Sequence, residues 1–392
     1  MAILAEISAI GDEMIAIRHA IHAHPELGFE EFSTSDLVAE KLLAWGYEVH
    51  RGLAGTGVVG QLRTGDGPRI GLRADMDALP ILEETELSYA STHPGKMHAC
   101  GHDGHTATLL AAAKVLAQTR RFSGTLNVIF QPAEEGLGGA RKMVEQGLFE
   151  LFPCDAIFAM HNMPGHPLGQ LGFLSGPFMA SSDTVSITLR GVGGHGAVPH
   201  KTIDPVIIAA TLTLCLQSVV SRNIDPLDTA IVSVGAIHAG TAANIIPASA
   251  KLEVSVRSLK ADTRDVLQAR ITSLAQNIAR SYGGEAEVFY NRRYPVLVND
   301  EKETELARAA ALDWVGEQGL IADMRPLTGS EDFAFMLDKC PGSYLIIGNG
   351  DDEQSVMCHH PRFDFNDQCL LVGASYWVKL VEKMLHRTSS HS

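Results

Sequence analysis

Four short apolar runs, RIGLRA (69–74), TLNVIF (125–130), DAIFAM (155–160) and SYLIIG (343–348), alternate along the chain with longer stretches of helical periodicity. Runs of this length suit buried strands. Parallel strands need a long crossover, usually a helix, so the alternation predicts βαβ units and a mostly parallel sheet. The helical stretches fall at about 4–23, at 34–45 with Ser33 or Thr34 as cap, at HTATLLAAAKVLAQT and GGARKMVEQGLF, near 300–318, and from about Asn366 to His386. Between 184 and 293 the style changes. There VSITLRG, DPVIIAATLTLCLQSVV, TAIVSVGAIHAG, AKLEVSVRS, DTRDVLQARITSLAQNIARSYG and EAEVFYNR give the order βαββαβ, that of a self-contained split-βαβ sandwich. The expected class is α/β: one main domain from residues 1–183 and 294–392, interrupted by a smaller inserted domain at 184–293.

In an open α/β sheet, ligands bind just beyond the carboxyl ends of the strands. RIGLRA is followed by Asp75 and Asp77, TLNVIF by Glu134 and Glu135, DAIFAM by His161, and SYLIIG by a loop with His359 and His360. The stretch MHACGHDGHTA (97–107) adds His98, Cys100, His102 and His105, with Asp103 among them. Taken singly, each has an ordinary explanation as a cap, a turn or a buried small side chain, and His98 and His105 keep theirs. Gathered on one rim, carboxylates and imidazoles would repel or desolvate one another without a cation. Thiolate, imidazole and carboxylate together favour Zn²⁺, with Mn, Co and Ni open. Of two adjacent glutamates, one ligates and the other is left to deprotonate water acidified by the metal. The predicted chemistry is metal-assisted hydrolysis of an amide or ester. A rival reading makes Cys100 a nucleophile with a histidine base, but it leaves Glu134, Glu135, His161 and His359 without a task. A binding protein without catalysis is a third reading, which no residue favours.

The formal net charge is −15, with lysines and arginines scattered. No basic face exists to neutralise phosphates, so nucleic acid and anionic membrane surfaces are not expected partners. The N-terminal stretch carries Glu6, Asp12 and Glu13 and opens without basic residues, the reverse of a signal peptide. No apolar run is expected to reach the ~18 residues that span a bilayer. Six well-separated cysteines without a CxxC suit free thiols and a cytoplasmic location.

RADMDALP, MHACGHDGHTA, QPAEE, AMHN, GVGGHGAVPH, GTAANIIP, GSEDFAF and HHPRFDFND occur in that order over nearly the whole chain. They resemble the aminoacylase/carboxypeptidase family of metal-dependent amidohydrolases. The branch most similar is that of hippurate hydrolases, bacterial N-acyl-amino-acid amidohydrolases and plant auxin-conjugate hydrolases. The resemblance implies a metallopeptidase-like catalytic domain with an inserted lid and dimerisation domain. It implies two divalent metal ions per subunit, held by Cys100, His102, Glu135, His161 and His359, with Glu134 as general base and Asp77 orienting a ligand. It also implies that His195 reaches the partner's site in a homodimer or dimer-based tetramer, where it can donate to an oxyanion. Asn244 and Arg257 match positions that bind the substrate carboxylate. Asp75-Met76-Asp77 stands where much of the family has His-x-Asp, and cysteine where it has a bridging aspartate. Asp75 is thus open between ligand and supporting carboxylate, and His359 is taken over His360 from the His-x-Pro pattern. The implied substrate is a hippurate-like N-acyl or aroyl amino acid. Deacetylation of N-acetyl-diaminopimelate, indoleacetyl-amino-acid hydrolysis and short-peptide carboxypeptidase activity are the alternatives.

Overall fold

The computed structural model describes residues 2–352 and 355–386, which divide into two units. The first comprises Met1–Gly176, Val298–Arg325 and Asp332–Ser392, the second Pro177–Leu297 and Pro326–Glu331. The inserted unit thus opens before residue 184 and closes after 293, and it takes in the whole of the strands Ser182–Arg190 and Glu285–Tyr294.

The first unit is built on a seven-stranded sheet ordered Glu48–Leu53, Gly57–Arg63, Thr125–Gln131, Arg69–Asp75, Ala156–Pro164, Gly342–Gly350, Leu171–Gly172. The four strands foreseen from the apolar runs are its parallel centre. Thr125–Gln131 is buried along its whole length, as expected of a strand covered on both faces. The flanking pairings are antiparallel. The hairpin of Glu48–Leu53 and Gly57–Arg63 was not legible beforehand, because charged residues and glycines interrupt its alternation. Helices Gly11–Ala23, His102–Thr119 and Asp367–Met384 pack on one another, burying Leu109, Leu110, Tyr376 and Trp377.

Local details depart from expectation for identifiable reasons. The first helical stretch breaks into Ala5–Ser8 and Gly11–Ala23. The next helix, Phe32–Ala44, already contains Ser33 and Thr34, and their N–H groups donate to the Glu26 carboxylate at 2.9 Å each. The cap therefore comes from a residue before the helix. GGARKMVEQGLF forms two short helices, Gly139–Glu145 and Leu148–Leu151, parted at Gly147 with φ 89°.

The second unit has the βαββαβ order. Its antiparallel sheet runs Ala230–Ala239, Ser249–Ser258, Ser182–Arg190, Glu285–Tyr294, covered by helices Pro205–Asn223 and Ala261–Ser281 over a separate core of Ile187, Leu212, Leu252 and Ile271. Pro205 opens the first of these helices, and Asp204 accepts the Val206 N–H at 2.9 Å, a favourable N-terminus. This helix corrects the expectation about apolar runs. At a mean hydropathy of 1.5 it is long and apolar enough to cross a membrane, by length and composition alone. Ile208, Leu212, Leu216 and Val219 form its buried stripe, so packing accounts for much of that apolarity.

Candidate metal centre

Each strand of the parallel centre ends at or runs into a polar side chain of the site. Asp75 terminates its strand and Asp77 follows. Gln131 ends the next, and Ala133, held at φ 54°, turns the chain into Glu134 and Glu135. His161 lies within Ala156–Pro164. After Gly342–Gly350 the chain returns with His359 at φ 69°, whose N–H donates to the Ala99 carbonyl at 2.7 Å. Helix His102–Thr119 starts at the metal-capable residue itself, three positions before the expected His105. Gly101 precedes it at φ 94°, and a Cβ there would lie 2.4 Å from Asn162 Oδ1. Only glycine fits both demands, and it sets Cys100 and His102 side by side.

Two of the resulting donor sets contain Cys100. Ligand atoms of Cys100, His102 and His161 lie within 4.8 Å of one another, as do those of Cys100, Glu135 and His359. Cys100 belongs to both. Its Sγ is 3.3 Å from His161 Nε2, and His359 Nε2 is 3.2 Å from Glu135 Oε1. His102 donates from Nδ1 to Asp77 Oδ1 at 3.2 Å, while its buried Nε2 has no hydrogen-bond partner. An imidazole oriented by a carboxylate on one nitrogen and open on the other is the usual arrangement of a metal-binding histidine. The donor set of thiol, imidazoles and carboxylate fits a first-row divalent cation. Asp77 also accepts the N–H groups of Glu134 at 3.0 Å and Glu135 at 2.9 Å, so one carboxylate aims His102 and pins the paired glutamates. Glu134 is buried, and its Oε1 accepts the Asp332 N–H at 3.3 Å.

Electrostatics point the same way. Burial opposes charge on His102, yet Asp75 and Asp77 push its pKa up to about 10. A cation on Nε2 would satisfy the same field in place of that proton. Burial and His105 hold His161 well below the usual imidazole range, in the neutral form that ligates. The Cys100 thiol is pushed well above its ordinary value by its hydrogen bond with Cys358, by burial and by Glu135.

Most of the other polar residues of the rim have partners of their own. Asp75 comes within 4.8 Å of His102 and His105. Its oxygens accept from Arg73 at 2.7 Å and His105 Nδ1 at 2.6 Å, and Oδ2 lies 3.7 Å from His102 Nε2. His105 Nε2 lies 2.7 Å from Asn162 Oδ1. The ring of His360 turns away, its Nδ1 accepting the Arg362 N–H at 3.1 Å, so His359 alone of that pair joins a donor set. His98 is buried with both ring nitrogens unpartnered, and burial lowers its pKa to about 4. Sequence reasoning missed Arg73, Gln131 and Asp332, which hydrogen-bond together: Arg73 Nε donates to Gln131 Oε1 at 2.7 Å, and Gln131 Nε2 to Asp332 Oδ1 at 2.7 Å. A buried arginine inside an apolar strand was the available signal.

In the second unit, His195 and Asn244 are neighbours. Gly194–His195 pairs with Ile245–Ile246, and the Gly196 N–H donates to the Asn244 carbonyl at 2.9 Å. Arg257 is not with them. It sits near the far end of Ser249–Ser258, opposite Ile231, roughly 26 Å along the strand from Ser249 at ~3.3 Å per residue. One chain does not bring Asn244 and Arg257 together.

Residues 71–383 match the model of Peptidase family M20/M25/M40. A hippurate hydrolase of Campylobacter jejuni is 45% identical over 386 residues, covering 98% of this chain and 100% of the relative. An N-acetyl-L-cysteine deacetylase of Bacillus subtilis is 38% identical, covering 98% and 91%. Among solved structures, a dinuclear metal-binding peptidase of the M20 family from Bacillus subtilis superposes with a TM-score of 0.83 at 35% identity, covering 96% of this chain and 99% of that one. With the family match spanning most of the sequence and two donor sets sharing one cysteine, this chain belongs to Peptidase family M20/M25/M40.

Proposed function

We propose that this chain hydrolyses the amide bond of N-acyl and N-aroyl amino acids, hippurate first among them, releasing a carboxylic acid and a free amino acid. The observation that carries this reading is the pair of donor sets sharing Cys100, with the Glu134 carboxylate beside them. Cys100, His102, His161, Glu135 and His359 would hold two divalent cations, which when bound would supply Lewis-acid polarisation of the scissile carbonyl and acidification of water. Zn²⁺ leads because a thiolate serves both sets, with Mn, Co or Ni as alternatives. Glu134 takes the proton of the attacking water and delivers it to the departing amine nitrogen. Its hydrogen bond from the Asp332 N–H keeps the carboxylate aimed. Asp77 holds His102 in its ligating tautomer.

His195 donates to the oxyanion that forms at the carbonyl. Arg257 and Asn244 bind the α-carboxylate. Burial and the adjacent Arg293 lower the pKa of Arg257, and a bound carboxylate relieves that repulsion. Since the His195–Asn244 pair belongs to a separate two-stranded ribbon beyond the Ser249 end and Arg257 sits near the other end of Ser249–Ser258, a small substrate touches all three only when two chains contribute. The reading therefore includes a homodimer, or a tetramer built from it, through the second unit. Exposed Ile207 and Leu214 on Pro205–Asn223 offer apolar contact area, and the edge strand Ala230–Ala239 offers unpaired backbone. Ligation by a thiolate is best kept in a reducing compartment, hence a cytoplasmic enzyme.

A cysteine nucleophile needs a depressed thiol pKa, the opposite of what surrounds Cys100. The deciding experiment strips metal with a chelator, restores Zn²⁺, Mn²⁺, Co²⁺ or Ni²⁺ one at a time, and assays hippurate, N-acetyl amino acids, N-acetyl-diaminopimelate, indoleacetyl-amino acids and short peptides. Amino acid release that vanishes on chelation and returns with metal is expected. Full turnover in protein free of metal by elemental analysis would overturn the reading.

A further inference from the structure

Cys358 directly precedes His359 and belongs to neither donor set. Its Sγ lies 3.8 Å from the Cys100 carbonyl oxygen and 3.8 Å from Asn162 Nδ2. The backbones that carry the two thiols are tied by the 2.7 Å bond from His359 N–H to the Ala99 carbonyl. Cys100 is buried at 7% exposure, whereas Cys358 is partly exposed beside the half-exposed His359. With the Cys358 Sγ against the Cys100 backbone and the two segments tied side by side, side-chain rotation brings the sulfurs to the ~2.0 Å of a disulfide. None of the other four cysteines is placed within hydrogen-bonding distance of Cys100 among the described residues.

We propose that Cys100 and Cys358 form a dithiol that a peroxide closes into a disulfide whenever the metal centre is empty. The partly exposed Cys358 thiolate attacks one oxygen of hydrogen peroxide, breaking the O–O bond and giving a sulfenic acid and hydroxide. The Cys100 sulfur then attacks the Cys358 sulfur, the S–O bond breaks, and hydroxide leaves with the Cys100 proton as water. Two thiols are oxidised by two electrons, and one peroxide is reduced to two waters. The product removes the one donor common to both sets, so the oxidised chain cannot rebuild the centre until a dithiol reductant reopens it. That consequence rests on Cys100 being a shared ligand; the closure itself rests only on the proximity of the two thiols.

The test uses the full chain, stripped of metal and freshly reduced, exposed to equimolar hydrogen peroxide, alkylated and digested without reduction. The expected result is a loss of two free thiols per chain from six. The linked peptides should be two hydrogens lighter, with the bond assigned by fragmentation to Cys358 and not to Cys340 of the same tryptic fragment. Dithiothreitol should return both thiols. Cys358→Ser should abolish the link and leave Cys100 singly oxidised or unmodified, and Cys340→Ser should leave the link intact. Absence of a Cys100–Cys358 peptide, while wild type loses thiols elsewhere or none, overturns the proposal. Prior loading with Zn²⁺ should suppress the link. Closure at the same rate with Zn²⁺ bound leaves the dithiol standing and removes Cys100 from the ligands.

Discussion

Replacing Asp77 by Asn keeps the shape of the side chain and removes its charge, which makes it a clean probe of how the centre is supported. Oδ1 accepts from His102 Nδ1 at 3.2 Å and from the Glu134 N–H at 3.0 Å, while Oδ2 accepts from the Glu135 N–H at 2.9 Å. An asparagine can place its oxygen at only one of these two positions. With Oδ1 kept on His102 and Glu134, its amide nitrogen faces the Glu135 N–H, donor against donor. The opposite turn sets two donors against it, so the first is adopted. One buried N–H is then left unpaired, a cost of about 1–3 kcal/mol. His102 also loses a charged acceptor, and removing the carboxylate that orients a ligating imidazole weakens metal affinity by ~10–100-fold, or about 1.4–2.7 kcal/mol at ~1.36 kcal/mol per decade. Chelator-competition titration of purified variant and wild type measures the affinity, and denaturant unfolding of the metal-free chains measures the stability. Both should fall. An affinity within twofold of wild type, with turnover nonetheless lost, would refute the supporting role argued for Asp77.

The remaining predictions concern the other proposed roles. Glu134→Gln should keep its metal content but lose at least the ~10²–10⁴-fold typical of a general base in kcat, whereas Glu135→Gln should lose metal; reversed metal analyses would exchange the two assignments. Arg257→Ala should raise KM for N-acyl amino acids far more than for their uncharged amides, and Lys should rescue poorly because it lacks the planar fork; equal losses on both substrates would remove Arg257 from the site. Mixing dissociated His195→Ala and Glu134→Gln chains should restore activity if His195 serves the partner's site, since one site of each mixed dimer then carries neither defect; a mixture that stays inactive places it in cis. Burial raises Glu31 to about 7, with the Thr56 hydrogen bond opposing. A raised carboxyl binds its proton more tightly in the folded state, so its contribution is fully present below the unfolded value near ~4.5 and is lost as pH rises through about 7. The stability of wild type relative to Glu31→Gln should accordingly decline across that window, and a difference independent of pH would show that Glu31 is not titrating there.

The sequence by itself determined the elements and the chemistry. RIGLRA, TLNVIF, DAIFAM and SYLIIG became the parallel centre because short apolar runs separated by helical crossovers have few other ways to bury their surfaces. Residues that follow such strands arrive at one edge of the sheet whatever the loops do, so Asp77, Glu134, Glu135 and His161 were legible as one rim. Local geometry was less so. The hairpin at 48–63 lacked periodicity, and the start of the 32–44 helix was set by Glu26, outside any local capping pattern.

Tertiary structure decided how donors are shared, because that depends on distances between segments far apart in the chain. Gly101 and Asn162 place Cys100 in both donor sets. The His359–Ala99 bond brings one of two adjacent histidines to the site and leaves the other on Arg362. Arg73 and His105 occupy the oxygens of Asp75, which its strand-end position left open. Asn244 and Arg257 are thirteen residues apart in sequence, yet the extended strand Ser249–Ser258, at ~3.3 Å per residue, carries Arg257 away from Asn244. The family resemblance gave both residues one substrate carboxylate; the rigid rise of a β-strand separates the two within a single chain.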